Sequence, residues 1–143
     1  EDAKNYHAWA HRQWVLKRFG HWEGELEFID AMLKQDVRNN SAWNQRWFVV
    51  QHTTGFTNEV VGHELEYAFG KIAEAVSNES PWNYVRGLLR GRGDEVFALA
   101  RARIEALLEH EATAEAAAVS VPLQALHAEV HLQKGDAAAA DAV

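Results

Sequence analysis

Two adjacent side chains near the start of this 143-residue chain, Tyr6 and His7, carry hydrogen-bond donors. A phenolic O–H and an imidazole N–H both donate hydrogen bonds, the imidazole more strongly when protonated, and both suit an anion or a developing negative charge. By residue type alone the same pair reads as polar residues opening a helix, solvated or capping. His7 and His11 stand four apart, a spacing that can bind zinc. The metalloprotease version of that motif needs glutamate after the first histidine, where this chain has Ala8, so the pair reads as structural. Arg12, Arg46 and Arg86 could form a phosphate-binding row. Each recurs beside a tryptophan, which favours a structural role, with the guanidinium packed on an aromatic face and bonded to carbonyls of a neighbouring hairpin. Glu23, Glu25, Glu27, Glu64, Glu66, Glu105 and Glu109 fall mostly on faces expected to be solvated, and no carboxylate pair demands acid–base work.

Composition removes several chemistries. There is no cysteine, so neither a thiol nucleophile, a disulfide nor a thiolate metal site is available, and a reducing compartment such as the cytoplasm suits the chain. The formal charge is −7 and the longest basic run is Lys17-Arg18, which argues against nucleic-acid binding. No stretch is apolar for the eighteen or so residues of a membrane span.

These side chains must be positioned by helices. Leu26, Ile29 and Leu33; Leu65, Phe69, Ile72 and Val76; and Val96, Ala100, Ile104 and Leu107 each recur at helical spacing and mark one face of an amphipathic helix. Nothing comparable alternates with period two. Only two prolines are present, as long helices with short connections require. Gly20, Gly55 and Gly93 are placed to stop helices, Ser80-Pro81 reads as an N-cap and first helical residue, and Asp94 as another N-cap. The predicted helices span roughly 5–19, 22–36, 40–52, 58–76, 80–90, 94–111 and 114–133.

The tryptophans expose a repeat. Lys4-Asn5-Tyr6-His7-Ala8-Trp9-Ala10-His11-Arg12 aligns with Arg38-Asn39-Asn40-Ser41-Ala42-Trp43-Asn44-Gln45-Arg46, 34 residues later. A third copy, Asn78-Glu79-Ser80-Pro81-Trp82-Asn83-Tyr84-Val85-Arg86, follows after 39, with its arginine one position late. Each copy opens a helix that an amphipathic helix follows, so the unit is a helical hairpin of tetratricopeptide size. One hairpin cannot bury its apolar face alone, whereas stacked neighbours can. The expectation is all-α: one right-handed α-solenoid domain over residues 1–143, with repeats near 4–37, 38–76, 77–111 and 112–143, and an array cut at both ends. Trp9, Trp43 and Trp82 are the expected plugs between hairpins.

The shared Asn-x-x-x-Trp-x-x-Arg skeleton is not the tetratricopeptide one, whose tryptophan precedes a Leu-Gly pair. It resembles the repeat of protein prenyltransferase α subunits. Lys4 to Trp9 continuing through Val15, Asp36 to Arg46, and Asn78 to Tyr84 are similar to three consecutive repeats of the α subunit shared by farnesyltransferase and geranylgeranyltransferase type I, with Pro81 where the family more often has alanine. Arg90-Gly91-Arg92-Gly93-Asp94 resembles a family connector, and the sequence beyond it says little about family.

The resemblance implies a crescent of hairpins wrapped around a β subunit, inactive alone. The β subunit would hold zinc, with magnesium accompanying the diphosphate. The reaction implied is transfer of a farnesyl or geranylgeranyl group from its diphosphate to the cysteine of a C-terminal CaaX motif, on proteins such as small GTPases, in the cytoplasm. The family's main α-side lysine would lie in a repeat upstream of Glu1. Tyr6 and His7 take the positions beside the isoprenoid diphosphate, while Lys4, Asn5, Asn39 and Asn40 are candidates for contact with β or substrate. Asn39 and Asn40 read equally as helix-start residues. Two alternatives stand beside this reading: the Rab-type geranylgeranyltransferase α subunit, and a non-enzymatic helical-repeat scaffold.

Overall fold

Asparagine opens each repeat for a local reason. Its side-chain oxygen satisfies backbone N–H groups that the first helical turn leaves without partners. Asn5 Oδ1 accepts from His7 N at 3.0 Å and Ala8 N at 3.2 Å, Asn39 Oδ1 from Ala42 N at 3.2 Å, and Asn78 Oδ1 from Ser80 N at 3.3 Å. All three sit in extended backbone just before a helix. The cap of the third repeat is therefore Asn78, not the Ser80 that Ser80-Pro81 suggests. The helix begins at Glu79, which puts Pro81 inside its first turn, where its missing N–H is still harmless.

The computed structural model describes residues 5–110 and 120–140, with side chains to residue 132. Among them are seven helices and no strand: α1 (Tyr6–Phe19), α2 (Glu25–Gln35), α3 (Asn40–His52), α4 (Asn58–Glu74), α5 (Glu79–Leu89), α6 (Asp94–Glu109) and α7 (Val121–Ala140). The first part of the helix expected at 114–133 lies outside the described residues, as does Lys4. The rest runs on to Ala140, beyond the expected end at 133, because neither Gly135 nor Asp136 interrupts it. Gly20 closes α1 in the left-handed region at φ 71°, as expected of a C-cap glycine. Gly93 does not close a helix: the left-handed residue after α5 is Gly91 at φ 70°, while Gly93 is the extended N-cap of α6, so Asp94 is already helical.

The chain divides into two compact units at the Thr57–Asn58 bond. In the first, Trp9 meets Phe28 and Arg12 meets Glu25, contacts that step in opposite directions along α1 and α2 and define an antiparallel hairpin. Gln13 to Gln45 and Lys17 to Phe48 step in the same direction, so α1 and α3 run parallel and open at the same end. Leu16, Ile29, Leu33, Trp43, Val49 and Val50 form this unit's core.

The second unit repeats the pattern. Phe69 against Trp82 and Glu64 against Tyr84 make α4 and α5 antiparallel. Asn58 to Arg92 and Glu66 to Arg103 make α4 and α6 parallel. Ser120 Oγ donates to Val76 O at 3.1 Å and Arg86 reaches Glu129, which makes α5 and α7 parallel. Alternating antiparallel neighbours and parallel next-neighbours are the packing of α-solenoid repeats. Trp43 and Trp82 are fully buried, and each indole Nε1–H donates to the carbonyl six residues earlier, Val37 at 3.1 Å and Val76 at 2.7 Å. Burying about 200 Å² per tryptophan at about 25 cal/mol per Å² stabilises by up to roughly 5 kcal/mol each. No helix among the described residues is long and apolar enough to cross a membrane.

Candidate functional site

The opening of α1 presents its donors outward. Tyr6 and His7 are the first two helical residues, both exposed, Tyr6 to 77%, and their rings meet edge to face with centroids 5.6 Å apart. The Asn5 cap occupies the backbone N–H groups of His7 and Ala8, which fixes the first turn and leaves the phenol and imidazole facing solvent. A helix N-terminus carries partial positive charge, so an anion at this end is favoured. No acidic residue lies between Ala3 and Trp22, in a chain whose net charge is −7. His7 and His11 are exposed along α1, and Lys17 and Arg18 are exposed in its last turn, at the end away from Tyr6.

The other expected residues fall into two groups. Asn39 is buried as the cap of α3, while Asn40 is exposed at the first helical position. Because α1 and α3 open at one end, Asn40 shares that end with Tyr6 and His7. The arginines are structural in a way the sequence did not show. Arg12 Nε donates to Glu25 Oε2 at 2.9 Å and its NH2 to Oε1 at 2.7 Å, and the guanidinium lies 3.9 Å from the Phe28 ring centroid. The aromatic contact is as expected, but the acceptor is a carboxylate of the same hairpin, not a carbonyl of the next, because a planar guanidinium fits a carboxylate with two bonds. Arg46 is buried. Arg86 Nε lies 3.5 Å from Glu129 and its NH1 donates to Asn83 at 3.4 Å.

Two glutamates correct the expectation of solvated faces. Glu25 and Glu64 are buried, the first against Arg12 and the second accepting from the Tyr84 hydroxyl at 2.6 Å. No sequence spacing announces either partner, since 13 and 20 residues separate them. Trp9 is only half-buried, unlike its two counterparts. A groove of about 450 Å³ beside it is lined by Ala8, His11, Arg12, Val15, His21 and Glu25, among others. Among the described residues no three His, Asp or Glu side chains gather to hold a metal ion.

Comparison with known proteins shows what this arrangement is similar to. Residues 1–19 and 22–53 match the protein prenyltransferase alpha subunit repeat. The stretch that holds α1, α2 and α3 is thus similar to prenyltransferase α-subunit repeats. The chain is 44% identical over 78 residues to the protein farnesyltransferase/geranylgeranyltransferase type-1 subunit alpha of Dictyostelium discoideum, covering 53% of this chain and 24% of that protein. It is 45% identical over 73 residues to the Pisum sativum protein of the same name, covering 50% and 22%. The geranylgeranyl transferase type-2 subunit alpha of Saccharomyces cerevisiae is 37% identical over 86 residues, covering 56% and 26%. The chain thus spans about a quarter of the length of the curated relatives it matches. Among solved structures, a chain of Candida albicans protein geranylgeranyltransferase-I complexed with GGPP shares the fold, with a TM-score of 0.55 and 21% identity over 89% of this chain and 54% of that one. The all-α repeat architecture expected for prenyltransferase α subunits is the one observed.

Proposed function

We propose that this chain forms part of the α subunit of a heterodimeric CaaX prenyltransferase and lines the diphosphate end of its site. The observation that carries the reading is the outward-facing Tyr6–His7 pair at the N-terminal opening of α1, within a stretch that matches the prenyltransferase alpha subunit repeat. In the transfer, the cysteine sulfur of the acceptor bonds to carbon 1 of the farnesyl or geranylgeranyl diphosphate. The carbon–oxygen bond breaks and pyrophosphate leaves with the electron pair. Negative charge grows on the departing diphosphate, so donors already aimed there stabilise the transition state more than the ground state. The Tyr6 hydroxyl and the His7 imidazole N–H supply such donors, and the α1 dipole adds to them. Asn40 extends the same end toward the substrate or the β subunit.

In this reading zinc belongs to the β subunit, where it lowers the pKa of the acceptor thiol, and magnesium accompanies the diphosphate. The partners are a β subunit, the isoprenoid diphosphate and CaaX-ending proteins such as small GTPases, in the cytoplasm. The higher identity to type-1 than to type-2 α subunits favours this reading over the Rab-type enzyme.

The test is co-expression of the chain, alone and extended upstream, with a prenyltransferase β subunit, followed by transfer to a CaaX peptide. Tyr6→Phe and His7→Ala are expected to slow transfer by roughly a hundred- to a thousandfold, the range for one lost transition-state donor, with heterodimer yield unchanged. A heterodimer indifferent to both changes would remove the pair from the site. Failure to pair with any such β subunit would overturn the reading and leave the scaffold alternative.

A further inference from the structure

Two histidine pairs in this chain have i, i+4 spacing, and the structure separates them. His7 and His11 are drawn apart by their neighbours: His7 meets Tyr6, and His11 stacks on Trp14 at 6.0 Å with the planes 16° apart. His127 and His131 on α7 converge instead. Their ring centroids are 4.5 Å apart and their Nε2 atoms 2.8 Å apart. Metal–imidazole bonds are about 2.0–2.1 Å, so two such ligands at a right angle stand about 2.9 Å apart, and at the tetrahedral angle about 3.3 Å apart. The observed separation matches the right-angled arrangement of tetragonal Cu2+ and Ni2+.

From this geometry we infer that His127 and His131 form a bidentate site for a divalent late transition-metal ion of the Ni2+ or Cu2+ type on the outer face of α7. Leu123, Leu126 and Val130 anchor the adjoining face of the helix in the core, so the histidine row is held at the edge of the packed face, with His131 at the surface. His131 is exposed and His127 half-buried, which leaves room for water in the remaining coordination positions. Glu129, between them in sequence, points away and lies 3.5 Å from Arg86 Nε, so it is not a ligand. Without metal, one Nε2–H donates to the other Nε2. On binding, that proton relocates to Nδ1 of its own ring and both Nε2 lone pairs turn to the ion, so no proton need be released.

The experiment is titration of the untagged 143-residue chain with Ni2+ alone, by calorimetry. The expected result is one equivalent bound by the wild type. His127→Gln or His131→Gln should each weaken binding by at least about tenfold, the scale on which even outer partners of a metal ligand matter. The double change His7→Gln with His11→Gln should leave it unaltered. Cu2+ added to labelled protein should broaden the ring signals of His127 and His131 first. Circular dichroism of each variant establishes that α7 stays folded. Binding that survives either α7 substitution, binding lost with the α1 pair, or no Ni2+ uptake by the wild type would each overturn the proposal.

Discussion

The first and third repeats open with the same asparagine and the same tryptophan, yet the two tryptophans end in different surroundings. Trp82 is fully buried, bonded to Val76 O and struck edge-on by Phe69 of the antiparallel helix before it. Trp9 is half-buried with Phe28 tilted against it, and farther along its helix Trp14 and Phe19 are exposed to 57% and 58%. The second repeat shows what the difference means. Phe48 stands 34 residues after Trp14, and it packs on Trp22 and under Lys17 from the hairpin before it. The motif therefore makes a plug, and the depth of burial is set by whether another hairpin lies against it. A helix motif supplies the side chain, while stacking supplies the energy.

The sharpest way to break this contrast is truncation of the two tryptophans. Trp82→Ala should cost the 143-residue chain about 3–5 kcal/mol in denaturant unfolding, and Trp9→Ala about half as much, in proportion to its burial. Equal losses would mean the exposed surface of α1 is irrelevant to stability. Next comes the charged pair of the first hairpin. Arg12→Met leaves the buried Glu25 carboxylate without its two-bond partner, at a cost of about 1–3 kcal/mol once the solvent access of Arg12 is allowed for. A simultaneous Glu25→Gln should recover most of that loss, and no recovery would show that the aromatic packing on Phe28 carries the effect.

The caps give a smaller and graded effect. Asn39→Ala and Asn78→Ala should each destabilise by about 1 kcal/mol, and Asn5→Ala by a few tenths, because an exposed helix opening frays before the unit unfolds. Amide exchange in the first turns of α1, α3 and α5 reads this directly. Trp14→Ala should stay within about 0.5 kcal/mol in the isolated chain, as for surface substitutions generally. The smallest effect belongs to Lys34, whose ammonium is hydrogen-bonded to Asp30 at 2.8 Å, with its pKa raised by that bond and by the carboxylate charge. A cation whose pKa is raised on folding adds stability below its unfolded pKa and loses it as the pH climbs through the folded value. Asp30→Asn should therefore leave the melt at pH 7 nearly unchanged, and any difference should vanish at strongly alkaline pH.

The helices, the repeat and the family resemblance were legible because they rest on local rules. Apolar spacing marks a helix face, asparagine before a tryptophan-bearing turn marks a cap, and a 34-residue offset marks a hairpin that must stack. Tyr6 and His7 were singled out by the family resemblance, since residue type at a helix opening reads by itself as solvated or capping. The errors were local competitions between good candidates: Asn78 over Ser80 as a cap, Gly91 over Gly93 as the left-handed residue. Each turned on one or two positions that neighbouring backbone geometry settles.

What the sequence could not announce depends on residues distant along the chain. Glu25 and Glu64 look like their solvated neighbours until Arg12 and Tyr84 are folded against them, at separations no helical period connects. Of two histidine pairs with identical spacing, His11 turns to Trp14 while His127 and His131 turn to each other, a choice between local partners that the spacing alone does not settle. The pattern of side chains along the chain determines which helices form and which face is apolar, because those follow from interactions within a few residues. Which polar groups end up buried, paired or free to meet a ligand is decided only when the helices dock, because that is when water leaves them.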